Sequence, residues 1–227
     1  VLLDDNFQTT SEKLLGACDE HTKLIWICSP NNPTGNLIHR ETILSVIDRF
    51  EGIVIVDEAY SDFSSEQPLR ARLGQYPNLI VLNTMSKAWG MAAIRMGMAF
   101  ASEEIIGLFN KVKYPYNINQ LAQEQALEAL NDPFGVDEWV RLLLRERGRV
   151  MTAFRELPIC TKVYPTEANF FLACVTDAQA IYDYLVSKGI IVRNRTHVTL
   201  CGNCLRVTVG KKGENNELLA ALRQYQA

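Results

Sequence analysis

Three short, uninterrupted apolar runs constrain this chain more than any other feature. Leu24-Ile25-Trp26-Ile27-Cys28, Ile53-Val54-Ile55-Val56 and Leu79-Ile80-Val81-Leu82 are rich in β-branched residues, the pattern of strands buried on both faces in a parallel sheet. Parallel neighbours need a crossover. Ile43, Leu44, Ile47 and Phe50 recur at helical spacing between the first two runs, which predicts a helix over His39 to Glu51 and a right-handed βαβ unit. A polar cluster follows each run: Asn31-Asn32-Pro33-Thr34-Gly35, then Asp57-Glu58-Ala59-Tyr60, then Asn83-Thr84-Met85-Ser86-Lys87-Ala88-Trp89-Gly90. Open α/β sheets bind ligands at the carboxyl edge of their strands. Asn32, Asp57 and Lys87 are therefore predicted to lie along one such edge.

Those clusters hold the parts of a pyridoxal phosphate (PLP) site. Such a site needs a lysine amine that condenses with the cofactor aldehyde, and an acid that keeps the pyridine nitrogen protonated so that the ring accepts electrons. It also needs groups for the phosphate and the phenolic oxygen. The chain offers a candidate for each role, with Arg95 eight residues beyond Lys87. Taken singly, each has a bland reading: Ser86 as a helix cap, Asn32-Pro33 as a turn, Arg95 as a solvated charge. Their joint occurrence in strand order favours the site.

With Ser29 to Asn36, Val56 to Tyr60, Thr84 to Gly90, Ile94-Arg95-Met96-Gly97, Tyr114-Pro115-Tyr116-Asn117 and Leu205 to Gly210, the chain resembles the PLP-dependent aminotransferases of fold type I, class II, and within them the histidinol-phosphate branch. The resemblance spans nearly the whole chain. It implies an α/β fold like that of aspartate aminotransferase, with a mostly parallel sheet in a large PLP-binding domain and a small C-terminal α/β domain. Lys87 would carry the cofactor and then shuttle the proton between the substrate Cα and C4′ as general base. Asp57 would pair with the pyridine nitrogen, and Asn32 and Tyr60 with the phenolic oxygen. Thr84, Ser86 and Arg95 would bind the cofactor phosphate.

Arg206 interrupts the apolar stretch Cys204 to Val209, an awkward place for a charge without an anionic partner. In the broader family an arginine here grips the substrate carboxylate; in the histidinol-phosphate branch it would meet the substrate phosphate, with Arg193, after Ile190-Ile191-Val192, as second ligand. The implied reaction takes histidinol phosphate and 2-oxoglutarate to imidazole acetol phosphate and glutamate, in histidine biosynthesis, on a homodimer. Threonine-phosphate decarboxylase and amino-acid transaminases of the same fold are the enzymatic alternatives. A non-catalytic binding module on the same scaffold is another.

Composition suits such an enzyme. The chain has 48% hydrophobic and 22% charged residues and a net charge of −3, which supports a sizeable core and argues against nucleic acid or an anionic membrane as partner. No apolar run reaches the ~18 residues of a membrane span, so a cytoplasmic location is expected. The six cysteines, Cys18, Cys28, Cys160, Cys174, Cys201 and Cys204, read as reduced, mostly buried thiols. Cys201-Gly202-Asn203-Cys204 has no second pair at zinc spacing, and His21, His39 and His197 form no cluster, so no metal is expected.

The domain boundary is predicted at residues 135/136, where Asp132-Pro133-Phe134-Gly135 reads as a breaker. Helices are predicted over Glu103 to Lys111, Gln120 to Asn131, Val136 to Pro158, Asp177 to Lys188 and Asn215 to Tyr225, and strands over Ala168 to Val175, Ile190 to Arg193 and Leu205 to Val209. Members of the resembled family carry a substantial portion ahead of the point where Val1 stands. The chain is thus expected to be a fragment that is inactive alone, lacking part of the phosphate cup, the ring that stacks on the pyridine, and an arm that reaches the partner subunit.

Overall fold

The computed structural model describes residues 1–225, and the chain divides into two compact units. The first comprises Val1–Pro30 and Leu37–Asp137; the second comprises Asn31–Asn36 and the described residues from Glu138 to Tyr225. The boundary lies two residues beyond the one anticipated, and the Asn31–Asn36 loop joins the second unit.

In the first unit a short helix, α1 (Ser11–Gly16), precedes β1 (Leu24–Cys28), α2 (Arg40–Arg49), β2 (Ile53–Asp57), β3 (Leu79–Thr84) and β4 (Gly97–Phe100), followed by α3 (Glu103–Val112) and α4 (Gln120–Leu130). The three apolar runs are the strands expected of them, in a mostly parallel sheet of order β1-β2-β3-β4. The fourth strand is antiparallel to β3 and was not anticipated: Gly97-Met98-Ala99-Phe100 is too short and glycine-led to stand out. Ile25, Ile27, Val54, Val56, Leu79 and Val81 face Ile43, Val46 and Ile47 of α2, while Ile55 and Ile80 meet Ile105 of α3 on the other side. β2 and β3 are therefore covered on both faces. β1 is not: Leu24 and Trp26 are 56% and 57% exposed, because β1 is an edge strand with α2 on one face only. Leu108, Val112, Leu121 and Leu127 of α3 and α4 are exposed as well.

Helix α5 (Pro133–Arg155) begins where a breaker was predicted. Proline at a first helical position costs nothing, since its missing N–H would have no intrahelical partner, and Asp132 Oδ1 accepts the Gly135 N–H at 3.3 Å. Beyond it lie β5 (Cys160–Val163), β6 (Phe170–Val175), α6 (Ala178–Ser187), β7 (Arg193–Asn194), β8 (Cys204–Thr208) and α7 (Lys212–Gln224). The second sheet has order β5-β6-β8-β7 and every pair is antiparallel. The expected strand at Ile190 to Arg193 shrinks to Arg193–Asn194, because Ile190 N–H closes the end of α6 on the Leu185 carbonyl (2.9 Å) with Gly189 in the left-handed region at φ 77°.

Period-two alternation sorts the two faces of this sheet. Phe171, Ala173 and Val175 of β6, with Leu205 and Val207 of β8, pack against α5, α6 and α7 through Phe154, Ile181, Leu185, Leu218 and Leu222. Arg206 and Cys204 therefore face the other way. Cys204 is directly opposite Cys174, with Cα atoms 4.1 Å apart. The pairing is set by strand register across 30 residues, not by any local spacing. No helix among the described residues is long and apolar enough to cross a membrane.

Phe154 and Phe171 meet edge to face at 5.4 Å, both fully buried. Phe171→Ala is expected to destabilise the fold by about 3–5 kcal/mol, the usual cost of a buried aromatic truncation; urea unfolding measures it, and a loss below about 1 kcal/mol would mean the sheet and α5 collapse onto the void.

Candidate active site

Parallel register assembles the first half of the site. Cys28 is paired with Asp57, and Asp57 with Leu82, so β1 and β2 finish at one level while β3 runs two residues further, to Thr84. Asp57 is the last residue of β2. Its Oδ1 accepts the Ala59 N–H at 3.0 Å, and its Oδ2 lies 4.0 Å from Cys28 Sγ. Burial first, and then the neighbouring Asp57 charge, push the Cys28 thiol up, so it remains a protonated donor facing the carboxylate. Tyr60, 8% exposed, closes the turn after Asp57. Lys87 is exposed and its Nζ lies 5.3 Å from the centre of the Tyr60 ring, cation–π range.

The hydroxyl pair forms where β3 runs out. Thr84 Oγ1 is 2.9 Å from Ser86 Oγ, donates to the Met96 carbonyl at 3.0 Å and accepts the Ser86 N–H at 3.1 Å. Arg95 takes the left-handed conformation at φ 56°, which is uncommon for a residue with a β-carbon. Since Thr84 pairs with Gly97 and Met85 N–H reaches the Met96 carbonyl, the backbone of Arg95 follows on beside Ser86. Its guanidinium is exposed and donates through Nη1 to the Ala92 carbonyl at 3.1 Å, not to the hydroxyls.

Asn32, Arg193 and Arg206 belong to the second unit. Arg206 Nη1 donates to Asn32 Oδ1 at 2.7 Å, and its guanidinium carbon lies 4.9 Å from the centre of the Phe170 ring. Arg193 is directly opposite Arg206 in the β7–β8 ladder. The Asn32 loop is fixed from its far end, where the Gly35 carbonyl accepts the Glu167 N–H at 2.7 Å. Gly35 has φ 81°, and a β-carbon there would run into the Thr166 hydroxyl, so the position requires glycine.

Sequence reasoning passed over Glu58, Ser61 and Asn83, all buried polar residues beside the site. A carboxylate and an amide inside apolar surroundings were the available signal. Glu58 Oε1 accepts the Leu69 N–H at 2.8 Å, and Oε2 is buried with no hydrogen-bond partner. Burial pushes its carboxyl up, against the lowering effect of the Leu69 bond and of the Arg70 and Arg40 charges. Among the described residues no group of three or more His, Cys, Asp or Glu side chains is placed to hold a metal ion.

The donor set of the first unit fits PLP. It has a carboxylate for the ring nitrogen, an amine beside a phenol, and two adjacent hydroxyls, with an arginine two residues ahead of β4. The chain belongs to the family described as aminotransferase class I and II, whose model matches residues 1–222. It is 59% identical over 226 residues to a histidinol-phosphate aminotransferase of Bacteroides fragilis, a match that takes in 100% of this chain and 66% of that protein. The crystal structure of the histidinol-phosphate aminotransferase from Clostridium acetobutylicum matches with a TM-score of 0.90 at 26% identity, over 97% of this chain and 69% of that one. The L-threonine-O-3-phosphate decarboxylase from Porphyromonas gingivalis matches with a TM-score of 0.80 at 25% identity, over 93% and 67%.

The raised Glu58 carboxyl has a consequence for stability. The native state keeps this proton over a range in which the unfolded chain has released it. The contribution is therefore full below the ordinary carboxylate value and is lost as pH rises through the folded value. Glu58→Gln is an uncharged isostere free of that loss. Its stability relative to the parent is expected to improve between about pH 4 and neutrality, read as urea midpoints at the two ends. A difference that does not move with pH would mean that Glu58 titrates alike in the folded and unfolded chain.

Proposed function

We propose that the full-length protein is a PLP-dependent histidinol-phosphate aminotransferase, acting on histidinol phosphate and 2-oxoglutarate to give imidazole acetol phosphate and glutamate. The observation that carries the substrate is the Arg193–Arg206 pair. Like charges directly opposite in a ladder repel, and these two share the sheet face turned away from α5, α6 and α7. A phosphate dianion between them would convert that repulsion into two charge-assisted, potentially bidentate contacts. The name of the Bacteroides fragilis relative, at 59% identity, supports the same reading. Since the chain spans 66% of that relative, the activity is proposed for the whole protein.

When bound, PLP supplies an aldehyde that exchanges amines and a protonated pyridine ring that withdraws electrons from the carbon being deprotonated. The residues of this chain do the rest. Asp57 holds the ring nitrogen protonated, its own orientation set by the Ala59 N–H and the Cys28 thiol. Lys87 Nζ would hold the cofactor and then act as the base that takes the proton from the substrate carbon, with the Tyr60 ring centre 5.3 Å from that amine. The Tyr60 hydroxyl would bond the phenolic oxygen, and Thr84, Ser86 and Arg95 would take the cofactor phosphate. With 2-oxoglutarate the same lysine moves the proton in reverse. A cytoplasmic homodimer completes the proposal; the exposed apolar side chains of Leu24, Trp26, Leu108 and Leu121 are of the kind an interface covers.

In the full-length protein Lys87→Ala is expected to abolish transamination with the fold retained by circular dichroism, and borohydride treatment of the parent should leave a pyridoxyl group on Lys87 by peptide mapping. An adduct on Lys111 or Lys113 would reassign the lysine. Arg193→Ala and Arg206→Ala are each expected to weaken histidinol phosphate by about 2–5 kcal/mol in kcat/KM while changing unphosphorylated histidinol far less. Equal losses for both substrates would assign the arginines to structure, and faster consumption of threonine phosphate than of histidinol phosphate would reassign the reaction.

A further inference from the structure

The parallel ladder between β2 and β3 ends at the bond from Glu58 N–H to the Leu82 carbonyl, 2.9 Å. Past that point the chain of β2 turns into Ala59–Ser61, and β3 continues paired with β4 alone. The Glu58 carbonyl is left without a strand neighbour in a buried place, where an unmade bond is costly. Asn83 supplies it. This residue is 7% exposed; its Nδ2 donates to the Glu58 carbonyl at 3.3 Å and to Ser61 Oγ at 3.1 Å, and its Oδ1 accepts the Thr84 N–H at 2.5 Å. One side-chain amide thus extends the ladder by a step, joining the segment that carries Asp57 and Tyr60 to the residue that opens the Thr84–Lys87 turn.

We propose that Asn83 is a positioning residue that sets the spacing between the carboxylate–phenol end and the hydroxyl end of the site, so that one rigid ligand meets both. The inference rests on the PLP reading above. In a planar pyridine the ring nitrogen, which would face Asp57, and the aldehyde-bearing carbon, which would face Lys87, stand at a fixed separation that cannot take up slack, so affinity depends on the two ends being held at matching distance. A ligand that touches one end only has no such requirement. This separates positioning from plain structural support, which would affect every ligand or none.

The test is made on the full-length protein. Asn83→Asp keeps the shape and the acceptor for Thr84 while removing both donors and setting a carboxylate against the Glu58 carbonyl. Ser61→Ala removes one acceptor only. Dissociation constants are measured by calorimetry for PLP, for 4-deoxypyridoxine, which lacks both the aldehyde and the phosphate, and for inorganic phosphate, beside the melting temperature of the ligand-free protein. PLP is expected to weaken at least about tenfold in Asn83→Asp and about threefold in Ser61→Ala, with 4-deoxypyridoxine and phosphate each changed less than about twofold. Equal weakening of all three ligands, or a lowered melting temperature with all three affinities intact, would make Asn83 a structural residue and overturn the proposal. If Asn83→Asp does not fold, the same comparison in Ser61→Ala decides. A parent protein that binds no PLP would instead overturn the cofactor reading, and this inference with it.

Discussion

Register between β1, β2 and β3 is the constraint on which the first unit depends. Cys28, Asp57 and Leu82 are successive partners across the sheet, so three stretches of chain far apart in sequence are aligned at the edge where β1 and β2 end and β3 runs on to Thr84. A parallel sheet offers no local device for this alignment. It comes from burial, since a one-residue slip would turn Val54 and Val56 away from Ile43, Val46 and Ile47. At ~1.5–3 kcal/mol for each fully buried aliphatic side chain, those contacts outweigh any single polar interaction at the strand ends. The apolar core of the sheet therefore fixes where the polar site can be.

The polar groups at that edge bring costs that the surroundings offset in different ways. Asp57 keeps a backbone donor and a thiol whose proton is held by burial and by the carboxylate itself. Glu58 retains a raised carboxyl with one oxygen unpartnered, and Asn83 meets partners from two strand ends. In the second unit the face turned away from the helices carries Arg193 opposite Arg206. Arg206 is steadied by Asn32 and Phe170. Strain, buried charge and like-charge pairing collect at functional edges because the rest of the fold can bear them.

Strands with both faces covered were legible because continuous β-branched runs have few other uses, and helices with a strong period were legible for the same reason. The misreadings share one cause. Ile190-Ile191-Val192 has strand composition, but its first residue is taken by the end of α6. Asp132-Pro133 has breaker composition, yet begins α5 because a proline is tolerated in a first helical turn. β4 pairs through backbone groups that any sequence possesses, and Trp26 is exposed because β1 stands at an edge. Each outcome depends on a neighbour that the local sequence does not name.

By itself the sequence determined the chemistry available: one lysine after the third strand, an acid after the second, an amide and a glycine after the first, and two arginines near the carboxyl end. Residue type and order are properties of the chain, and strand periodicity tied them to one sheet edge. Tertiary structure decided what no order specifies. It placed Arg193 across from Arg206, brought Cys174 to Cys204, gave Cys28 and Ala59 to Asp57, and made Asn83 the link between two strand ends. Those relations come from register and packing across tens of residues, where the energy lies in contacts between segments and not in the propensity of any one of them.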